Sequence, residues 1–173
     1  MNITVLNNVF EFIYQESLYN LCSNSSFKLG WSDGGDIETS NRVFFHSFIP
    51  EEAVLKLNID NKIRETSLGK KLQNYTLHQG VINCSRPGES YWEHTHEDMV
   101  VVLYYPNLRW RREWGGETIF YDDNRENLIF ASEYKSNRMV LFDGKIPHSV
   151  RAPSYISDQY RFTMSFFYTI NKK

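Results

Sequence analysis

The sequence predicts a mainly β protein, a jelly roll with a few helices at its N-terminal end. Three observations point there. Aromatic residues make up 16% of the chain, and valine and isoleucine gather in short runs, a composition that suits pleated, half-buried strands. From Tyr75 onward short apolar runs alternate with turn signals. About eight such runs, with no helical stretch between them, suggest antiparallel strands in two facing sheets whose mouth can hold a small ligand.

Taken in order, residues 1–26 mix apolar and polar side chains without a clean period, and Leu18–Ser26 reads as an element running into a loop. Residues 27–46 carry WSDGG and many polar residues, a surface loop with a strand at Arg42–His46. A helix begins near Pro50, since proline suits the first helical position and Glu51 and Glu52 suit the positive end of the dipole. Ala53, Val54 and Leu57 follow at helical spacing, and Gly69 ends a second short helical piece. The strands are then Thr76–Cys84, Ser90–His96, Val100–Tyr105, Glu117–Tyr121, Leu128–Ser132, Arg138–Phe142, Ser149–Arg151 and Arg161–Thr169. Pro87-Gly88, Gly115-Gly116, Asp122-Asp123-Asn124, Ser136-Asn137 and Asp143-Gly144 punctuate them. With no repeat, low-complexity run or linker, residues 1–173 read as one domain: 1–75 a supporting segment, 76–170 the jelly-roll core.

Composition narrows the function. A chain of 173 residues can bury a real core. Its net charge of −2 gives no support for nucleic-acid binding. Cys22 and Cys84 lie far apart and read as reduced, buried thiols of an intracellular, cytoplasmic protein. The opening residues lack a charged segment followed by an apolar core, so no signal peptide is visible. No apolar run approaches the roughly 20 residues of a membrane helix, so no membrane association is expected.

The chemistry concentrates in Pro87–Tyr105, PGESYWEHTHEDMVVVLYY. In an extended strand residues two apart share a face, so His94 and His96 project together, and Asp98 joins them if the strand runs on. Two imidazoles on one face form a chelating pair, and His148 is the clear candidate for a third ligand. Arg161 stands in the apolar strand RFTMSFFY, where an unpaired guanidinium is costly, so a buried partner is expected. His46 and His78 have no ligand context and read as structural. Gly115-Gly116 reads as a turn or bulge device, Trp110 and Trp114 as packing at the rim, and Arg109, Arg111 and Arg112 as a solvated face.

The ordered set Pro87-Gly88, Tyr91, His94, Tyr104-Tyr105-Pro106-Asn107, Trp110, Gly115-Gly116, Phe142, His148 and Arg161 resembles the prolyl-4-hydroxylase-like 2-oxoglutarate/Fe(II) dioxygenases, across Thr76–Tyr168. The resemblance implies a double-stranded β-helix, the jelly roll already suggested. It implies an iron site of His-x-Asp plus a distant histidine: here His94, His96 in the aspartate's place, and His148. It further implies that Arg161, helped by Tyr105, binds the far carboxylate of 2-oxoglutarate. Leu103, Thr118, Val150, Ser165 and Phe167 match pocket-lining positions. The other register, with His96 and Asp98 as the pair, restores a carboxylate ligand but leaves only Met99 before the next strand. The turn Glu97-Asp98-Met99 favours His94 and His96, and both registers stay open.

The implied reaction uses O₂ and 2-oxoglutarate to hydroxylate a peptidyl proline, a free amino acid or another small molecule, releasing succinate and CO₂. Two alternatives from other classes remain. One is a cupin-like three-histidine metalloenzyme that uses no 2-oxoglutarate, weakened because no glutamate stands four residues beyond His96. The other is a non-catalytic jelly-roll binding protein.

Overall fold

A computed structural model describes residues 3–31, 44–96 and 98–171. Strand β1 spans Thr4–Asn7, helix α1 Phe12–Ser23, β2 Lys28–Trp31 and β3 Phe44–Phe48. Helices α2 (Glu51–Lys56) and α3 (Ile59–Glu65) follow, then a short 3₁₀ turn, Gly69–Leu72. The remaining strands are β4 (Tyr75–Ser85), β5 (Met99–Tyr105), β6 (Thr118–Tyr121), β7 (Leu128–Ser132), β8 (Arg138–Asp143), β9 (His148–Val150) and β10 (Arg161–Ile170). They form a seven-stranded sheet in the order β1-β8-β5-β10-β4-β3-β2 and a three-stranded sheet β7-β6-β9, all pairs antiparallel.

Side-chain alternation divides the interior into two layers. On β10, Phe162, Met164, Phe166 and Tyr168 join one core with Val100, Val102 and Tyr104 of β5 and Leu18, Ile59 and Ile63 of the helices. The intervening residues of the same strands face the small sheet, where Val101, Leu103 and Tyr105 pack with Phe120, Val140 and Phe142. The central strands are thus buried on both faces, so β5 reads as a continuous apolar run, MVVVLYY, rather than as an alternation.

The jelly-roll expectation stands, with differences that have local causes. The first residues hold β1, paired with β8, and α1, whose buried residues are only Gln15, Leu18 and Cys22. So narrow a stripe leaves little period in the sequence. Pro50 is the N-cap of α2, one position before the first helical residue. Gly69 opens the 3₁₀ turn instead of ending a helix, and glycine fits there because a Cβ would lie 2.1 Å from the Ile63 carbonyl oxygen. The strand expected at Arg42–His46 is Phe44–Phe48, and the WSDGG loop beyond Trp31 falls outside the described residues.

The largest correction concerns Ser90–His96, which forms no strand: only His94 makes an isolated bridge, to His148. Its amides are satisfied singly instead. Tyr91 donates to the Val150 carbonyl at 3.2 Å, His94 to His148 at 3.0 Å and His96 to Gly144 at 2.7 Å. The segment therefore hangs beside β9 and the turn before it, and its side chains are aimed by those contacts rather than by a regular pleat.

Candidate active site

Between the sheets lies a cavity whose wall includes alternate residues of β10: Arg161, Thr163, Ser165 and Phe167. Leu103, Thr118 and Val150 line it too, as do Asn83 and Tyr91. The same cavity is lined by His94, His96 and His148, whose possible ligand nitrogens lie within 4.8 Å of one another, a group that can hold a metal ion. The ring centroids stand 4.4 Å apart for His94 and His148, 4.9 Å for His94 and His96, and 5.1 Å for His96 and His148.

The chain fixes these rings from both sides. His94 and His148 exchange backbone hydrogen bonds, each 3.0 Å, which locks their segments together. His94 Nδ1 lies 2.9 Å from the Trp92 carbonyl oxygen, and His148 Nδ1 lies 2.8 Å from that of Ile146. A carbonyl only accepts, so each Nδ1 carries the proton and each Nε2 keeps its lone pair for a metal. Burial, reinforced by His94 and then His96, holds the His148 imidazolium well below the usual histidine range, so the ring is neutral near pH 7. Phe142 and Phe167 buttress the cluster, with Phe142 4.7 Å from His148 and Phe167 4.8 Å from His96, centroid to centroid.

Asp98 stands apart. It takes a left-handed φ of 58°, its side chain is 89% exposed, and it pairs with Lys145 at 3.2 Å. The structure brings together His94, His96 and His148 and leaves Asp98 at the surface.

Arg161 is fully buried. Its Nε donates to the Gly116 carbonyl at 2.7 Å and its Nη2 to Thr118 Oγ1 at 3.2 Å. Its guanidinium carbon lies 4.8 Å from the Tyr134 ring centre and 5.6 Å from that of Tyr105. Among the described residues no carboxylate pairs with it, and Nη1 has no hydrogen-bond partner. A buried cation with an unused donor on a cavity wall calls for an anion from outside the chain. Tyr105 donates its hydroxyl to Thr118 Oγ1 at 2.9 Å, so it acts on the arginine through Thr118 and through its ring.

No curated protein matches the chain in sequence. Residues 67–169 match the profile of the 2OG-Fe(II) oxygenase superfamily. The chain belongs to that superfamily. It is a dioxygenase, and its cofactors are Fe(II) and 2-oxoglutarate. Similar solved structures include the viral collagen prolyl hydroxylase of Paramecium Bursaria Chlorella virus-1 in complex with 2OG, at TM-score 0.65 and 13% identity over 98% of this chain and 97% of that one. A prolyl hydroxylase from Trichoplax adhaerens, bound to a hypoxia inducible factor peptide fragment, matches at TM-score 0.67 and 20% identity over 97% and 83%. A 2OG-Fe(II) oxygenase family oxidoreductase from Burkholderia pseudomallei matches at 0.71 and 13% over 96% and 84%. At these identities the likeness speaks for the fold.

The oxygenase's residues fit both cofactors. Three imidazoles whose nitrogens converge suit a divalent metal, and the orphan Nη1 of Arg161 suits a carboxylate. Two glycines that read only as turn formers turn out to shape the site. Gly116 has φ 84°, and a Cβ on it would lie 3.0 Å from Arg161 Cδ, so glycine lets its carbonyl reach Nε. Gly144 lies against the chain at His96: a Cβ would meet the His96 carbonyl oxygen at 2.1 Å and that of Met99 at 2.8 Å. Tyr134, buried beneath the guanidinium, stacks 4.5 Å from Tyr105. No local pattern in the sequence marks these roles, because each depends on approach by a distant segment.

Proposed function

We propose that this oxygenase holds iron with His94, His96 and His148, anchors the far carboxylate of 2-oxoglutarate on Arg161, and hydroxylates a peptidyl proline, a free amino acid or another small molecule. The carrying observation is that one cavity contains both the three-imidazole cluster and a buried guanidinium lacking a carboxylate. Bound iron and 2-oxoglutarate supply the chemistry, oxidative decarboxylation to succinate and CO₂ coupled to transfer of an oxygen atom from O₂ to the substrate.

The chain's own residues bind, orient and exclude water. Arg161 offers permanent charge in planar geometry, and its Nε and Nη2 bonds leave Nη1 for the ligand. Thr118 is held by Tyr105 and in turn holds Nη2, so the guanidinium cannot rotate freely. Ser165 and Thr163 present hydroxyls along the same wall, the side groups nearest in register to a ligand lying along β10. Val101, Leu103, Phe142 and Phe167 add apolar walls, which strengthen the polar contacts beside them. Residues 1–75 would act as support, since α1 and α3 pack on the outer core of the large sheet, away from the cavity.

Anaerobic titration of the protein with Fe(II) and 2-oxoglutarate tests this reading. A visible charge-transfer band should form, persist in Asp98→Ala and disappear in His94→Ala. A band that survives His94→Ala but vanishes in Asp98→Ala would transfer the ligand role to the other register. No band in the wild type would remove 2-oxoglutarate from the cavity.

A further inference from the structure

The charge inside the cavity points to a class of substrate, on the ligand reading just given. With a carboxylate among the ligands, the charges of iron(II), the arginine and doubly ionised 2-oxoglutarate would cancel. With a neutral imidazole, His96, in that place, one positive charge is left over. The described cavity wall supplies nothing to offset it: Val81, Asn83, Ser85, Thr163 and Ser165 are neutral, and none of the lining residues is acidic.

Three nearby acids are paired with cations outside the cavity. Glu93 pairs with Arg125 at 3.2 Å, Asp98 with Lys145 at 3.2 Å, and Glu89 with Arg86 at 3.4 Å. Glu117 precedes β6 and lies outside the cavity wall, and its Oε2 is buried without a hydrogen-bond partner among the described residues. A net charge in a cavity walled in part by valine, leucine and phenylalanine side chains is less screened than in water, so it acts on whatever enters.

We propose that the loaded enzyme takes an anionic substrate, one that brings a carboxylate or an equivalent monoanion into the cavity. A neutral prolyl or sugar-like substrate would leave the extra charge buried and uncompensated. An anionic one neutralises the site on binding. The same charge could be met by a small inorganic anion such as chloride, and the experiment separates these sources.

The test uses the protein loaded with Co(II), whose visible d–d bands report changes at the metal, in saturating 2-oxoglutarate and at fixed ionic strength. Sodium acetate is titrated against acetamide, which has nearly the same shape and no charge. The expected result is a saturable change with acetate and none with acetamide. Acetate affinity should fall by more than about tenfold in His96→Asp, since one unit of charge at a few ångströms in a poorly screened site exceeds the energy of a tenfold change. A chloride titration then assigns the source: chloride displacing acetate at lower concentration marks a held halide, and acetate unaffected by chloride marks an organic carboxylate. Acetate and acetamide acting alike in the wild type would overturn the proposal, even if His96→Asp failed to load. So would equal acetate affinity in wild type and His96→Asp. Failure to form any 2-oxoglutarate complex would be visible before acetate is added, and would bring down the ligand reading together with this one.

Discussion

Arg161→Met should separate stability from cosubstrate binding. In the free protein the guanidinium is fully buried, donates two hydrogen bonds to neutral acceptors and rests against two tyrosine rings, with Nη1 unused. Hydrogen bonds from a charged group contribute about 1.5–3 kcal/mol each. The ring contacts contribute about 1–2 kcal/mol each when desolvated. Removing the cation from water costs several kcal/mol, which offsets most of that gain. Methionine fills much of the volume. It orphans the Gly116 carbonyl, at about 1–3 kcal/mol, while Thr118 keeps its bond from Tyr105. Unliganded stability should therefore change by no more than about 2 kcal/mol. Ligand-linked stabilisation should vanish. At 2-oxoglutarate about 100-fold above Kd, the wild type gains about 2.7 kcal/mol, or roughly 5–11 °C for a chain of this size. Thermal scanning of the Ni(II)-loaded protein, with and without 2-oxoglutarate, reads both quantities. A variant that keeps the ligand shift, or that loses more than about 4 kcal/mol without ligand, would refute the assignment of this arginine as a ligand anchor.

Three further outcomes follow from the same geometry. Metal affinity by calorimetric titration should drop by at least about 100-fold in His148→Ala, which removes one of the three imidazoles proposed to hold the metal, and stay within about twofold in Asp98→Ala, whose exposed ion pair is worth at most about 1 kcal/mol. In Gly144→Ala the new methyl group meets the His96 carbonyl, so the loop must shift; a loss of about 1–3 kcal/mol in denaturant unfolding and weaker metal binding should appear together. Burial pushes the Cys84 thiol up to about 12 from an ordinary 9.0 and raises Cys22 well above that value. Native protein at pH 8 should therefore resist a thiol-specific dye, and both cysteines should label on unfolding. Because both thiols are raised in the folded state, their contribution to stability is intact below about pH 9 and falls as pH rises toward 12.

The strands were legible where side chains alone decide. Leu128–Ser132 coincides with β7, and the β10 run RFTMSFFY shows its two faces by alternation: polar or charged residues at 161, 163 and 165 line the cavity, aromatics and methionine at 162, 164 and 166 fill the outer core. The stretch 90–96 misled because a short run bounded by turn signals is a property of the sequence alone, whereas a strand also needs a continuous partner for its amides. Here β9 offers only three residues, and the turn at Gly144 takes over. Helix α1 was missed for the converse reason, since few of its side chains are buried.

The amino-acid order by itself determined the jelly-roll class, the candidacy of His94, His96, Asp98 and His148 as ligands, and the placing of a cation within an apolar strand. These are short-range facts, set by spacing and by the cost of burying or exposing each side chain. Only the tertiary structure brought His148 against His94 and His96, turned Asp98 outward to Lys145, and left Arg161 with no carboxylate among the described residues. It also decided why Gly116 and Gly144 must lack side chains. Those properties arise where distant segments meet in three dimensions, at distances that no local pattern of residues encodes.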